Sequence, residues 1–260
     1  MNGHLAVVGH LAVVGLGPGD QRWLTPEADA ALARADALYG YASYLERVPT
    51  RPGQARHASD NREEGARAAA ALRHAAQGAC VALVSGGDPG IFAMAAAVCA
   101  EIEAGPEAWR SLDVSIIPGI TAMLAVAARV GAPLGHDFCA LSLSDNLKPW
   151  ELIERRLAAA AQAGFVIALY NPISQARRWQ LGAALDQLRR LLPAGTPVVF
   201  GRAVGRPDEK VVVTTLDVAD PERADMATLI IVGSAETRVI ARPDRAPLVY
   251  TPRAIEAVRA

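Results

Sequence analysis

The chain has 260 residues, with 26 basic against 27 acidic side chains and a formal net charge of −1. At roughly 150 residues per domain this is one or two domains, and the even charge balance excludes the clustered positive surface that nucleic acid or an anionic membrane requires. A hydrophobic content of 52% with 5% aromatics, punctuated by 22 Gly and 17 Pro, excludes a disordered or fibrous chain and describes an Ala/Val/Leu core with many turns.

The chain opens on Gly3–Val8 (GHLAVV), repeated as Gly9–Val14. Both copies read as short buried strands, but only the second leads into a glycine turn, so the first is expected to be a dispensable extension. The apolar start has no basic n-region and no small-residue cleavage site, so it does not read as a signal peptide. From Leu11 onward apolar runs alternate with helical patterns, the signature of a mostly parallel sheet with covering helices. The patterns predict strands at Leu11–Gly15, Ala37–Gly40, Cys80–Ser85 and Val114–Ile117, and helices at Pro26–Arg34, Asn61–Ala76, Ile91–Glu103 and Thr121–Val130. Thr25 before Pro26 reads as N-cap then first helical residue, and Asp60 with Glu63 as a capping box.

The turn-rich break Gly131–His136 suggests a domain boundary near residue 135, with domains of residues 1–134 and 135–260. Beyond it the patterns predict strand Phe138–Leu143, helix Pro149–Ala161, strand Phe165–Tyr170, helix Arg177–Leu192, and strands Val198–Gly201, Lys210–Thr215 and Thr228–Gly233. No helix separates Gly201 from Lys210, so at least one pairing there should be antiparallel and the second sheet mixed. Cys80, Cys99 and Cys139 sit in apolar surroundings without metal or redox spacing and read as buried thiols in a reducing cytoplasm. The five histidines show no ligand spacing, and no metal is expected.

Gly15-Leu-Gly-Pro-Gly-Asp20 follows a strand and invites comparison with a dinucleotide fingerprint. It fails in detail, because Asp20 takes the third glycine position, Pro18 removes an N–H donor, and no acidic ribose ligand ends the second strand. Val84-Ser-Gly-Gly-Asp-Pro-Gly90 is a second turn-rich strand end, with Asp88 either a ligand contact or a helix cap. Ile117-Pro-Gly-Ile-Thr-Ala122, Tyr170-Asn-Pro172 and Gly201–Arg206 are three more, which together suggest one ligand cleft. No nucleophile motif or paired-carboxylate motif is present, so transfer of an already activated group fits best: such an enzyme mainly aligns donor and acceptor.

Taken in order, VGLGPGD, SGGDP, PGITA and YNP resemble the tetrapyrrole methylase family of S-adenosylmethionine-dependent enzymes, over essentially Leu11–Ser234. Further stretches are similar to corrin-forming members: Gly40–Tyr44, Ser59–Glu64, Gly86–Met94, Leu143–Glu151, Tyr170–Ser174 with Gln180-Leu181, and Tyr250–Arg253. The resemblance implies two α/β domains, each a mixed, mostly parallel sheet with flanking helices. It also implies a ligand cleft between the domains, a homodimer, a tetrapyrrole (precorrin) substrate, and neither nucleic-acid nor membrane partners. Residue by residue, it places S-adenosylmethionine on Pro18, Gly86, Gly87, Asp88, Ile91, Thr121, Ala122, Asn171 and Ala203. The implied activity is methylation of carbon 17 of a precorrin with contraction of the macrocycle, in cobalamin biosynthesis. Members that methylate uroporphyrinogen III carry an Asp after the second strand, where this chain has Tyr41.

Ring contraction needs proton transfer, for which Tyr41, Tyr44, His136 and Asp145 are candidates by location. The many carboxylates of such a substrate call for cations, of which Arg47, Arg51, Arg62, Lys148 and Arg177 lie in loops or at helix starts. Two rivals remain at this level. One is a sibling methyltransferase, including the cobalt-containing version of the same step; the other is a dinucleotide-binding oxidoreductase, which the glycine-loop details disfavour.

Overall fold

A computed structural model describes residues 9–60, 63–174 and 176–254. The first GHLAVV copy, Gly3–Val8, and Arg62 lie outside the described residues. The chain divides into two compact units, residues 1–121 and 122–260.

The first unit runs β1 (His10–Gly15), α1 (Pro26–Arg34), β2 (Ala37–Tyr41), α2 (Ala42–Leu45), β3 (Ala55–Ser59), α3 (Glu64–Ala75), β4 (Cys80–Ser85), α4 (Met94–Ala104) and β5 (Asp113–Ile117). Its five strands pair in the order β3-β2-β4-β1-β5, every pairing parallel. Because side chains alternate along a strand, Ala12, Val14, Ala82 and Val84 pack under α1, whereas Leu11, Val13, Val81 and Leu83 pack under α3 and α4. The helices that follow the neighbouring strands β1 and β4 therefore leave on opposite faces. In open α/β sheets, divergence of this kind marks the carboxyl ends of the strands as the place where ligands bind.

Thr25 Oγ1 accepts the Ala28 N–H at 3.1 Å and Pro26 opens α1, as the cap pattern predicts. Half of the expected capping box is present, the Asp60 N–H donating to Glu63 Oε2 at 3.0 Å, but α3 begins only at Glu64. The helix predicted from Ile91 begins at Met94, because Phe92 takes a left-handed φ of 52° that no α-helix accommodates. Cys99 is exposed, and Cys80 and Cys139 are only half-buried. The apolar neighbours of Cys99 face the core from other positions of α4 while Cys99 looks outward, so a buried thiol is not found there.

The second unit runs α5 (Ala122–Val130), β6 (Gly131–Ala132), β7 (Phe138–Ser142), α6 (Trp150–Gln162), β8 (Val166–Tyr170), α7 (Gln180–Arg189), β9 (Pro197–Arg202), β10 (Lys210–Thr215), β11 (Thr228–Val232), β12 (Arg238–Arg242) and β13 (Arg245–Tyr250). Its main sheet has the order β10-β9-β11-β8-β7, with β7–β8 parallel and the other pairings antiparallel. This sheet is mixed, as expected, but not mostly parallel. The turn between β9 and β10 is too short for a parallel crossover and can only return the chain beside itself. Leu157, Leu181, Leu185 and Leu188 of α6 and α7 bury one face of the sheet against Ile167, Leu169, Phe200 and Ile230.

The other face is covered by α5, which packs on β11 and β13 and so belongs to the unit that begins before the turn-rich stretch near residue 135. Gly201 allows this approach, since a Cβ there would lie 2.3 Å from a Val126 methyl. Arg129 of α5 is held by Glu209, with Nε to Oε1 at 2.6 Å, and Glu209 Oε2 also accepts the Gly205 N–H at 2.7 Å. The hydrogen bond from Arg129 is the leading cause that keeps the Glu209 carboxyl below its ordinary pKa. A depressed carboxyl stabilises the fold above its unfolded pKa and loses that contribution as pH falls through its folded value. Glu209→Gln is accordingly expected to lower the thermal midpoint at pH 7 and to approach the parent as the pH falls below the ordinary carboxylate range, in paired melts across a pH series.

Candidate active site

In the first unit the turn after β1 and the turn after β4 are locked together. The Gly17 N–H donates to Gly87 O at 3.1 Å, and the Gly87 N–H to Gly17 O at 2.9 Å. Both residues need φ near +65° (65° and 66°), which glycine supplies without strain. The Gly17 N–H is thus spent within the loop, and Pro18 has none. Asp20 caps the short helix Gln21–Trp23 and holds Arg22 at 2.7 Å, while α1 does not start until Pro26. The helix that follows this turn is three residues long and its N-terminus is already capped by an acidic side chain, a poor seat for a pyrophosphate, which disfavours the dinucleotide rival.

Asp88 bridges the second and third turns, with Oδ1 accepting the Gly90 N–H at 2.8 Å and Oδ2 the Gly119 N–H at 3.1 Å. It does not cap α4, which lies further on. The same edge carries Tyr41 at the end of β2, its ring edge-on to Tyr44 at 5.5 Å, and Tyr44 leans over Gly86 so closely that a Cβ there would be 2.7 Å from the ring. Arg47 follows, donating from Nη2 to the carbonyls of Leu16 at 3.0 Å and Gly17 at 2.8 Å. Its guanidinium braces the glycine turn. Arg51 lies 3.7 Å from Asp29 of α1. Pro18, Gly86, Gly87, Asp88, Ile91 and the buried Thr121 therefore all fall in turns at one edge of the first sheet.

In the second unit β8 and β9 both run antiparallel to β11, so the ends of β7, β8 and β9 share one edge. Asn171 follows β8 and gives its Nδ2 to Ser142 Oγ at 2.9 Å, Ala203 follows β9, and the Tyr170 hydroxyl accepts the Met123 N–H of α5 at 3.1 Å. Ala122, Asn171 and Ala203 are thereby brought to the same edge. Asn171 and Ala203 hold φ of 51° and 48°. A left-handed Ala costs about 1 kcal/mol or more, and strain of this kind collects at functional sites.

Asp145 lies at that edge too, its Oδ2 accepting Gln180 Nε2 at 3.1 Å. His136 does not. It precedes β7, at the opposite end of the strand, where its Nδ1 accepts the Asp137 N–H at 2.7 Å. Lys148 is half-buried, and burial, followed by the nearby Arg156, pulls its ammonium below the ordinary lysine pKa. Arg177 Nη1 reaches the Asn171 carbonyl at 3.1 Å. Burial raises the Cys80 and Cys139 thiols, the reverse of a reactive thiolate. Sequence reasoning missed Ser142 and the bracing role of Arg47, and marked Gln180 only through the resemblance, because each role is defined by a partner on another segment.

The family model of the Tetrapyrrole (Corrin/Porphyrin) Methylases matches residues 10–220. The chain belongs to this family. Among curated members, the precorrin-3B C(17)-methyltransferase of Sinorhizobium sp. is 63% identical over 247 residues, which cover 95% of this chain and 97% of that protein. The probable cobalt-factor III C(17)-methyltransferase of Salmonella typhimurium is 42% identical over 230 residues, covering 88% of this chain and 94% of the relative. Among solved structures, the methyltransferase CobJ superposes with a TM-score of 0.89 at 49% identity, over 94% of this chain and 100% of that one. The α/β architecture of this methylase is therefore that of its family.

Proposed function

We propose that this methylase transfers a methyl group from S-adenosylmethionine to carbon 17 of precorrin-3B, with contraction of the macrocycle to precorrin-4, in cobalamin biosynthesis. Identity of 63% to a precorrin-3B enzyme, against 42% to a cobalt-factor III enzyme, favours the metal-free acceptor. The observation that carries the donor assignment is the gathering of the expected contact residues at the carboxyl edge of each sheet, one of them, Ala203, in strained left-handed backbone. Donor contacts are assigned to Pro18, Gly86, Gly87, Asp88, Ile91 and Thr121 of the first unit, and to Ala122, Asn171 and Ala203 of the second. These are short side chains with accessible backbone polar groups, which suit an adenosine and a zwitterionic amino acid better than a phosphate.

With the donor sulfonium already activated, the protein's task in the methyl step is alignment, worth roughly 7–11 kcal/mol. Tyr41 and Asp145 are retained as candidates for proton transfer during contraction, and Lys148 as a partner for a substrate carboxylate. His136, at the far end of β7, is set aside. Among the described residues no helix is long and apolar enough to cross a membrane, and all three cysteines are free. These facts fit a cytoplasmic enzyme, and the family resemblance supports a homodimer.

Calorimetric titration with S-adenosylhomocysteine, with NAD as control, tests the donor. Saturable binding of the former alone is expected. Product mass after incubation with S-adenosylmethionine and either precorrin-3B or cobalt-factor III tests the acceptor, and methylation of the cobalt compound alone would overturn the precorrin reading.

A further inference from the structure

Beyond Asn171, the loops after β7 and β8 carry residues that the donor assignment leaves unused. Three contacts tie them together: Asn171 to Ser142 at 2.9 Å, Gln180 to Asp145 at 3.1 Å, and the Trp150 and Trp179 rings meeting edge-on at 4.8 Å between centroids. The last two flank Leu147 and Lys148. Despite this ordering, Leu147 is 97% exposed and Trp179 is 54% exposed. A single exposed leucine is ordinary. Here the leucine and the tryptophan stand open to solvent on two mutually braced loops, at the edge that also carries Asn171.

The charge around them is mainly positive. Lys148 adjoins Leu147, and Arg177 and Arg178 precede Trp179, while the nearby Asp145 is engaged by Gln180 and Glu151 sits in the first turn of α6. No ion pair is formed by Lys148 among the described residues, and Arg156 opposes its charge, so an anion placed there would relieve both burial and repulsion. An apolar centre with a cationic rim complements a ligand that has an extended unsaturated ring system and carboxylates around its edge. A neutral lipid, which offers no anion to the cations, is not complementary to it.

We propose that Leu147 and Trp179 form a shelf for one face of the tetrapyrrole macrocycle, with Lys148 pairing with a carboxylate on its rim. This rests on the acceptor class proposed above. None of the three is a residue assigned to the donor, so their loss is expected to act on acceptor binding and to spare donor binding.

The test uses the full chain, its Trp179→Ala, Trp179→Phe and Lys148→Gln variants, and uroporphyrin III, an octacarboxylate porphyrin, as a stable probe followed by its Soret band. Trp179→Ala is expected to weaken the probe about tenfold, as the loss of one stacking platform would, and to raise KM for precorrin-3B similarly with kcat within about twofold. Trp179→Phe should restore most of both, and Lys148→Gln should weaken the probe severalfold. S-adenosylhomocysteine affinity and circular dichroism should match the parent in all three, which separates a shelf from a folding defect. Unchanged probe affinity and KM in Trp179→Ala would overturn the shelf while leaving the methylation reading intact. Failure of the parent to methylate precorrin-3B would overturn that reading, and the porphyrin titration would still decide the shelf.

Discussion

Replacing Gly119 by alanine is expected to destabilise the first unit by about 3 kcal/mol, at the upper end of the usual cost of overpacking, and to lower donor affinity by more than tenfold. An added Cβ would lie 2.3 Å from the Gly87 carbonyl oxygen and 2.9 Å from the carbonyl carbon and oxygen of Gly15. All of these are backbone atoms, which cannot swing aside as a flexible side chain can. Relief requires the turns after β1, β4 and β5 to move apart, which breaks the reciprocal Gly17–Gly87 pairing and the Asp88–Gly119 hydrogen bond. The turns that collapse are those assigned to the donor, so stability and binding fall together. Gly182, with nothing within 4 Å of its added Cβ, is the matched control. As an interior position of α7, it should gain up to about 1 kcal/mol on becoming alanine. Urea unfolding of both variants with S-adenosylhomocysteine calorimetry measures the contrast, and a Gly119→Ala protein with the parent's midpoint and affinity would refute the close-packed turn.

The second large effect is expected at Asp88. Its carboxylate accepts two backbone N–H groups, of Gly90 and Gly119, and charge-assisted bonds of this type contribute about 1.5–3 kcal/mol each where they are shielded from water. Asp88 is half-buried, so Asp88→Ala should cost about 1–3 kcal/mol in total and weaken the donor about tenfold or more. Asp88→Asn keeps one acceptor oxygen and should recover part of the loss, whereas a residue acting through negative charge alone would recover none. Donor affinity equal to the parent's in Asp88→Ala would remove this side chain from the site.

Much of this could be read locally. Thr25-Pro26 starts α1 where the cap chemistry says it should, and the apolar runs of β1, β4 and β10 are bounded by turn residues, so these elements appear almost as expected. The turn-rich strand ends were equally legible, because glycine, proline and aspartate mark the places where backbone must bend. β3 was not: Ala-Arg-His-Ala-Ser has no apolar alternation and is a strand only because β2 offers it a parallel edge. The hairpin of β12 and β13, and the two-residue β6 that β13 pairs with, likewise owe their form to partners.

Sequence by itself determined the family, the α/β alternation and the residue types of the glycine-rich turns, since periodicity, caps and glycine turns act over a few residues. Only the tertiary structure decided that Asp88 bridges to Gly119 instead of capping a helix, that Arg47 braces the first glycine turn, and that His136 stands at the opposite end of β7 from Ser142. Each of those roles depends on which distant strands become neighbours and in what direction they run. That choice is made by burying both faces of each sheet at once, and no local pattern encodes it.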